Sequence, residues 1–257
     1  MNDHNFKKQL GQNFLIDIAS VIDFVEAANI KAGEQVLEIG PGDGAVSDQI
    51  LQKKAQLTSI ELDSDLIPVL NERFQSYENF KLINADILKT DLTKLNLKPG
   101  FIVIGSLPYN ISKQIINQFL KSALKPSRMC FILQKEVAYD YAYKGRFLNI
   151  LAQTYSEEIT YLKTLPAHYF FPEPKVESAI IKFEKIGNKF KEPEKLLKFV
   201  KIGFSAPRKI LSSNLANAGY DKASVEAQLK KLGLSQKSRA GELDFNAWIE
   251  LYSSLKK

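Results

Sequence analysis

The chain has 257 residues, is 45% hydrophobic and 25% charged, and carries 35 Lys+Arg against 29 Asp+Glu. This balance fits a globular protein with room for one large and one small domain, and excludes a disordered or fibrous chain. No run of eighteen apolar residues occurs, so no membrane helix is expected. The polar start over residues 1–8 lacks an apolar signal region, so a cytoplasmic location is expected.

The charge is unevenly placed. Up to residue 180 there are 19 basic and 21 acidic residues, and beyond it 16 and 8, so the whole net charge of +6 comes from the C-terminal end. A basic small module beside a near-neutral large one points to a polyanionic partner, nucleic acid first. A lysine-rich surface serving solubility is the alternative. Cys130 is the only cysteine, which excludes an internal disulfide, and its apolar run Met129–Leu133 reads as a buried strand. Two histidines, His4 and His168, with one cysteine do not make a usual zinc site, and no metal is expected.

In chain order, apolar positions at Ile18, Val21, Ile22, Val25 and Ala28 predict a helix, and Lys31-Ala32-Gly33 a turn. Strands and helices then alternate. The pattern predicts strands over 35–39, 57–61, 80–84, 101–105 and 129–134, with helices over 45–53, 65–75 and 113–120. Pro68 suits the first turn of its helix. These strands are short and apolar without clean alternation, as in a parallel sheet covered on both faces. The α/β class follows, as a doubly wound, Rossmann-like sheet. Strands over 158–165 and 178–183, split by the proline-rich segment Phe170-Phe171-Pro172-Glu173-Pro174-Lys175, predict a late antiparallel hairpin at one sheet edge. Residues 186–193 read as a hinge. Helices alone follow, over 196–204, 209–218, 224–232 and 245–253, punctuated by Gly219, Gly233 and Gly241. Two domains are expected, 1–185 and 186–257.

Three segments carry chemistry. Glu38-Ile39-Gly40-Pro41-Gly42-Asp43-Gly44 is a glycine-rich turn at the end of the first long strand, where Gly40 and Gly42 let a ligand approach the backbone. No Gly-Lys-Ser/Thr follows, so a phosphate loop is excluded, and the acids Glu38 and Asp43 disfavour a pyrophosphate while tolerating a cationic cofactor such as S-adenosylmethionine. Glu61 ends the next strand, where a carboxylate takes both hydroxyls of a ribose. Asp86 follows the third and is placed for an adenine amino group. The third segment, Ser106-Leu107-Pro108-Tyr109, puts a hydroxyl, backbone carbonyls and an aromatic ring at one strand end. That is a clamp for an exocyclic base amine, with acceptors for its N–H groups and a face on which the base stacks.

With these residues the chain resembles the ribosomal RNA adenine N6-dimethyltransferases, and within them the branch that modifies two adjacent adenosines near the 3′ end of small-subunit RNA. The resemblance spans Lys8–Leu15, Glu38–Gly42, Ile60–Asp63, Leu107–Ser112, Pro172–Ala179 and Pro207–Leu211. It implies a class I methyltransferase domain with a small helical RNA-binding domain, S-adenosylmethionine as cofactor, and a pre-30S particle as partner of a monomer. It implies cofactor contacts from Gln12, Asn13, Leu15, Gly40, Gly42, Glu61, Asp86 and Ser106. It also implies that Tyr109 and Phe170 sandwich the adenine, and that the Leu107 or Pro108 carbonyl binds N6. Lys7, Lys8, Lys144, Arg146, Lys175, Arg208 and Lys209 are the expected RNA contacts. Where the family motif usually opens with asparagine, this chain has Ser106, a shorter acceptor. Tyr143-Lys144-Gly145-Arg146 matches the family's basic loop only loosely. Two rivals are a macrolide-resistance methyltransferase acting on large-subunit RNA, which Leu107 and Gly145–Leu148 argue against, and a non-catalytic assembly factor.

Overall fold

A computed structural model describes residues 12–187 and 189–255. The chain falls into two compact units, one running to Ala138 and resuming over Ser156–Gly187, the other formed by Tyr139–Tyr155 and the C-terminal stretch.

The first unit alternates strands and helices: β1 (Phe14–Leu15), α1 (Ile18–Ala27), β2 (Gln35–Ile39), α2 (Ala45–Gln52), β3 (Gln56–Glu61), α3 (Ile67–Phe74), β4 (Phe80–Asn84), β5 (Ile102–Ser106), α4 (Ser112–Lys121) and β6 (Arg128–Gln134). After α5 (Lys135–Ala142) and α6 (Phe147–Tyr155) come β7 (Ser156–Leu165), β8 (Phe170–Phe171) and β9 (Ser178–Ile186). Seven strands form one sheet in the order β4-β3-β2-β5-β6-β9-β7. The first five are parallel, and β9 enters antiparallel between β6 and β7. Interior strands β2, β5 and β6 are buried almost without interruption, which explains why their sequences do not alternate. From β2 the chain first builds outward through β3 and β4, then returns to β2's other side with β5. The crevice beyond the C-terminal ends of β2 and β5 is therefore the switch point where such sheets bind ligands.

Helix α1 shows why the periodic positions needed correction. Its buried stripe is Val21, Phe24, Val25 and Ala28, the i, i+3, i+4, i+7 pattern of one helix face. Ile18 and Ile22, counted with that stripe in the sequence, are 73% and 42% exposed. Asp17 caps the helix by accepting from the Ser20 N–H.

The second unit contains α7 (Pro193–Gly203), α8 (Leu211–Ala216), α9 (Lys222–Lys231) and α10 (Phe245–Leu255) around fully buried Trp248 and Phe199. Ile150 is buried in this same helical core, with Phe147 against it. For that reason Tyr139–Tyr155 groups with the C-terminal helices, and the two compact units differ in this segment from a single cut between 185 and 186. Gly203 makes room for the Trp248 indole, which an added Cβ would meet at 2.3 Å. No helix among the described residues is long and apolar enough to cross a membrane.

Candidate active site

A cavity of about 250 Å³ opens at the switch point. Every described residue expected to contact cofactor or base lines it: Gln12, Asn13, Leu15, Gly40, Gly42, Glu61, Asp86, Ser106, Leu107, Pro108, Tyr109 and Phe170. Glu38 and Asp43 line it too, and among the described residues no lysine or arginine does. Four carboxylates without a cationic side chain oppose a polyphosphate and favour a ligand with positive charge.

The β2–α2 turn is shaped by backbone conformation. Gly40 and Gly42 have φ of 67° and 60°, in the region that side chains rarely adopt. A Cβ at Gly40 would meet nothing within 4 Å, so this stretch leaves space for a ligand; one at Gly42 would strike the Phe14 ring at 2.9 Å. Beneath the turn, Glu38 is 1% exposed and accepts from Ser47 Oγ at 2.5 Å and Ser59 Oγ at 2.7 Å. Burial pushes its carboxyl up to about 7 against the two serine hydrogen bonds. Its charge at the site is thus less than the sequence alone suggests.

Glu61 closes β3 and is 6% exposed. One carboxylate oxygen accepts from the Asp63 N–H at 2.8 Å and the other from the Gly42 N–H at 3.3 Å. Burial raises its pKa, and those N–H groups oppose the rise. The Leu62 N–H also faces the carboxylate, and the acceptor capacity that remains on its two oxygens is open to a ribose hydroxyl. Asp63, two residues beyond Glu61, is 1% exposed and accepts from Gln12 Nε2 at 2.7 Å. It anchors the segment that brings Gln12 and Asn13 to the cavity. The spacing of two residues after Glu61 was its only signal. Asp86 is partly committed: one oxygen accepts from the Leu88 N–H at 2.9 Å, and the other lies 3.5 Å from Lys89 Nζ.

On the opposite side, β5 delivers Ser106 through Tyr109. The Pro108 carbonyl accepts from the N–H groups of Ile111 at 3.2 Å and Ser112 at 3.0 Å, at the start of α4. Among the hydrogen bonds of the described residues, neither the Leu107 carbonyl nor the Ser106 hydroxyl takes part in any. Of the two carbonyls named from the sequence, Leu107's is thus the available acceptor. Tyr109 Oη lies 2.6 Å from Ser178 Oγ, and burial raises the phenol's pKa. Ser178 lies in the Pro172–Ala179 segment, where no sequence pattern distinguishes it. Phe170 pairs with Leu15 through the small β1–β8 sheet, is 3% exposed and lines the cavity.

The expected RNA contacts divide by location. Lys7 and Lys8 lie outside the described residues, and Lys175 is exposed on the first unit. Lys144, Arg146, Arg208 and Lys209 are exposed on the second. There, Gly145 closely approaches Gly241, and Ile210 forms a β-bridge with Arg239. These two contacts bring the loops carrying the four cations together beside exposed Arg239. Arg146 is partly neutralised by Asp140, with Nε 3.1 Å from Oδ1.

Comparison with known proteins points the same way. The family model "Ribosomal RNA adenine dimethylase" matches residues 3–257. The chain is 37% identical to ribosomal RNA small subunit methyltransferase A of Pseudomonas fluorescens, over 98% of this chain and 94% of that one. It is 34% identical to the protein of the same name from Fusobacterium nucleatum, over 95% and 96%. Among solved structures it superposes on the 23S rRNA methyltransferase ErmE with a TM-score of 0.79 at 25% identity, covering 95% of this chain and 100% of that one. A dimethyladenosine transferase from Plasmodium falciparum shares the fold, with a TM-score of 0.75 at 23% identity over 93% and 96%.

Proposed function

The chain belongs to the ribosomal RNA adenine dimethylase family, and we propose that it dimethylates N6 of two adjacent adenosines near the 3′ end of small-subunit RNA within a pre-30S particle. Family membership gives the reaction class, S-adenosylmethionine-dependent dimethylation of rRNA adenine. The small-subunit target is supported by the names of relatives 34% and 37% identical over nearly the whole chain. The observation that carries the reading is the make-up of the cavity, with buried carboxylates on the β2–β3 side and an unengaged carbonyl, a hydroxyl and two aromatic rings on the β5 side.

S-adenosylmethionine, when bound, supplies a methyl group on a positively charged sulfur. The chain's residues supply the rest. Glu61 holds the ribose, while Gln12, Asn13 and Leu15 cover it. Gly40 and Gly42 admit the ligand to the backbone, and Asp86 faces the adenine end. The Leu107 carbonyl and the Ser106 hydroxyl accept the N–H groups of the target amine, whose lone pair is otherwise delocalised into the base ring. Such acceptors favour the pyramidal geometry in which that lone pair is directed at an electrophile. Tyr109 and Phe170 fix the plane of the base and exclude water.

Lys144, Arg146, Lys175, Arg208 and Lys209, with the N-terminal Lys7 and Lys8, serve as phosphate contacts in this reading. It is also a monomer of the cytoplasm, where pre-30S particles are found. The deciding experiment is methyl transfer onto purified unmethylated small subunits followed by nucleotide mapping. Two dimethylated adenosines near the 3′ end are expected. Methylation of large-subunit RNA with resistance to erythromycin would replace this reading with that of the ErmE-like enzymes. Binding to subunits should fall steeply with salt, and Ala at both Arg208 and Lys209 should weaken it without changing cofactor affinity. A salt-independent curve would reduce the basic excess to a solubility feature.

A further inference from the structure

The β5 side of the cavity is fastened by one pair of hydroxyls. Tyr109 Oη and Ser178 Oγ lie 2.6 Å apart, joined across 69 residues of chain. Ser178 has no exposed surface and does not line the cavity. It is the first residue of β9 and stands opposite Gln134 of β6 on one side and Leu165 of β7 on the other. A residue laddered into the sheet on both sides has little freedom to move. Tyr109 differs, because it stands in the loop between β5 and α4 and its ring turns about two side-chain bonds. The loop places its Cβ without fixing the plane of the ring. A hydrogen bond at the far end of the ring supplies the second fixed point. Burial raises the phenol's pKa, so the pair is one hydroxyl donating to the other at neutral pH.

Ser178 also references the second aromatic wall. The segment carrying Phe170 leaves the sheet at Leu165 and returns at Ser178, and these two residues are register partners. The pairing closes the loop that bears Phe170, and the hydroxyl of the same residue holds Tyr109. The residue that holds Tyr109 thus also closes the loop bearing Phe170, whose own strand is fixed by pairing with Leu15.

We infer that Ser178 is a positioning residue for methyl transfer, holding the Tyr109 ring in the plane, and at the spacing from Phe170, that a flat base requires. This rests on the reading of Tyr109 as the ring that stacks the adenine. Ser178 touches neither base nor cofactor and acts through Tyr109 alone.

The test uses the full chain with Tyr109→Phe, Ser178→Ala, Ser178→Thr and the Tyr109→Phe/Ser178→Ala double variant. Single-turnover methylation of unmethylated small subunits is measured at saturating subunit, alongside cofactor affinity by calorimetry and the thermal midpoint. Each single removal of a hydroxyl should slow turnover by roughly 2- to 10-fold, the scale of one neutral hydrogen bond. Cofactor affinity should stay at the parent value. The double variant should be no slower than the slower single one, because both changes break the same bond. Ser178→Thr, which keeps a hydroxyl, should recover most of the rate. A merely structural bond would lower the thermal midpoint and leave the rate of the folded protein unchanged, and that result overturns the inference. So do rate losses that multiply in the double variant. If Ser178→Ala does not fold, Tyr109→Phe removes the same bond without emptying space at 178, and its rate decides. Tyr109→Ala separates the two levels. If it methylates at the parent rate, the stacking role itself is wrong. If it is inactive while Tyr109→Phe is as fast as the parent, only the role of Ser178 falls.

Discussion

The two halves of the cavity are built on different principles. The half at the ends of β2 and β3 is made of glycines and buried carboxylates, with Glu38 and Glu61 1% and 6% exposed. The half at the ends of β5 and β9 has no carboxylate in its Ser106–Tyr109 segment or at Phe170, and is made of rings, a carbonyl and hydroxyls. In the proposed reading charge selects the ligand on one side, and shape with hydrogen-bond direction selects it on the other. If this division holds, changes in one half should move one measured quantity and leave the other alone.

The largest expected effect is at Tyr109. Tyr109→Ala removes the stacking face and should abolish methylation of small subunits while cofactor affinity stays at the parent value. Calorimetry with S-adenosylmethionine, run beside a methylation assay, checks both. A loss of cofactor affinity would break the division, since the ring would then belong to both halves.

Glu38 sharpens the carboxylate side through pH. Its carboxyl is raised from 4.5 to about 7 by burial. Below about pH 4.5 it is protonated both folded and unfolded. Between there and about 7 the unfolded chain releases the proton while the folded chain retains it, so stability falls as pH rises, and it levels off above 7. For this fully buried group the total is about 3 kcal/mol. Glu38→Gln, neutral at every pH, should therefore be close to the parent near pH 4.5 and gain stability relative to it as pH rises through that window. Urea midpoints from pH 4.5 to 8 measure the difference; a constant difference would mean that Glu38 is ionised throughout.

Glu61 follows. Its two oxygens each accept a backbone N–H, which orients them toward the cavity. Loss of a hydrogen bond to a charged acceptor costs about 1.5–3 kcal/mol, so Glu61→Ala should weaken S-adenosylmethionine binding at least tenfold by about the same scale. Unchanged affinity would remove Glu61 from the ribose.

The same contrast explains what was legible in the sequence. The strands of the parallel sheet could be placed to within a residue or two, because each is a short apolar run ended by a turn signal; β2, at 35–39, is placed as expected. Glycines and acids at strand ends are local signals, and the β2–β3 half could be read from them. What local sequence does not show is held at long range. The Gln12–Asp63 bond spans 51 residues and the Tyr109–Ser178 bond 69, and a serine at a strand start or an acid two residues past another has no distinguishing pattern. Helices α5 and α6 are illegible in the sequence for a related reason. Buried Ile150 belongs to the helical core of the second unit, so the purpose of its segment is not visible from neighbours in sequence.

Ser106 carries the smallest expected effect and tests the hydroxyl-and-carbonyl side most finely. Its hydroxyl, like the Leu107 carbonyl beside it, is not engaged in any hydrogen bond among the described residues, so both are open to the target amine. The carbonyl is backbone and survives any substitution at 106. In the proposed reading the side chain contributes one neutral hydrogen bond of the pair, a net of about 0.5–1.5 kcal/mol. Ser106→Ala should slow single-turnover methylation by roughly 2- to 10-fold on that scale, with cofactor affinity nearly unchanged. Ser106→Asn brings an amide oxygen farther into the cavity, and should raise the rate above the parent, because the longer acceptor reaches the amine without relying on water. If Ser106→Ala is as fast as the parent, the Leu107 carbonyl alone directs the amine. If neither the parent nor Ser106→Asn methylates small-subunit or large-subunit RNA, the non-catalytic reading, binding to the ribosome alone, replaces the enzymatic one.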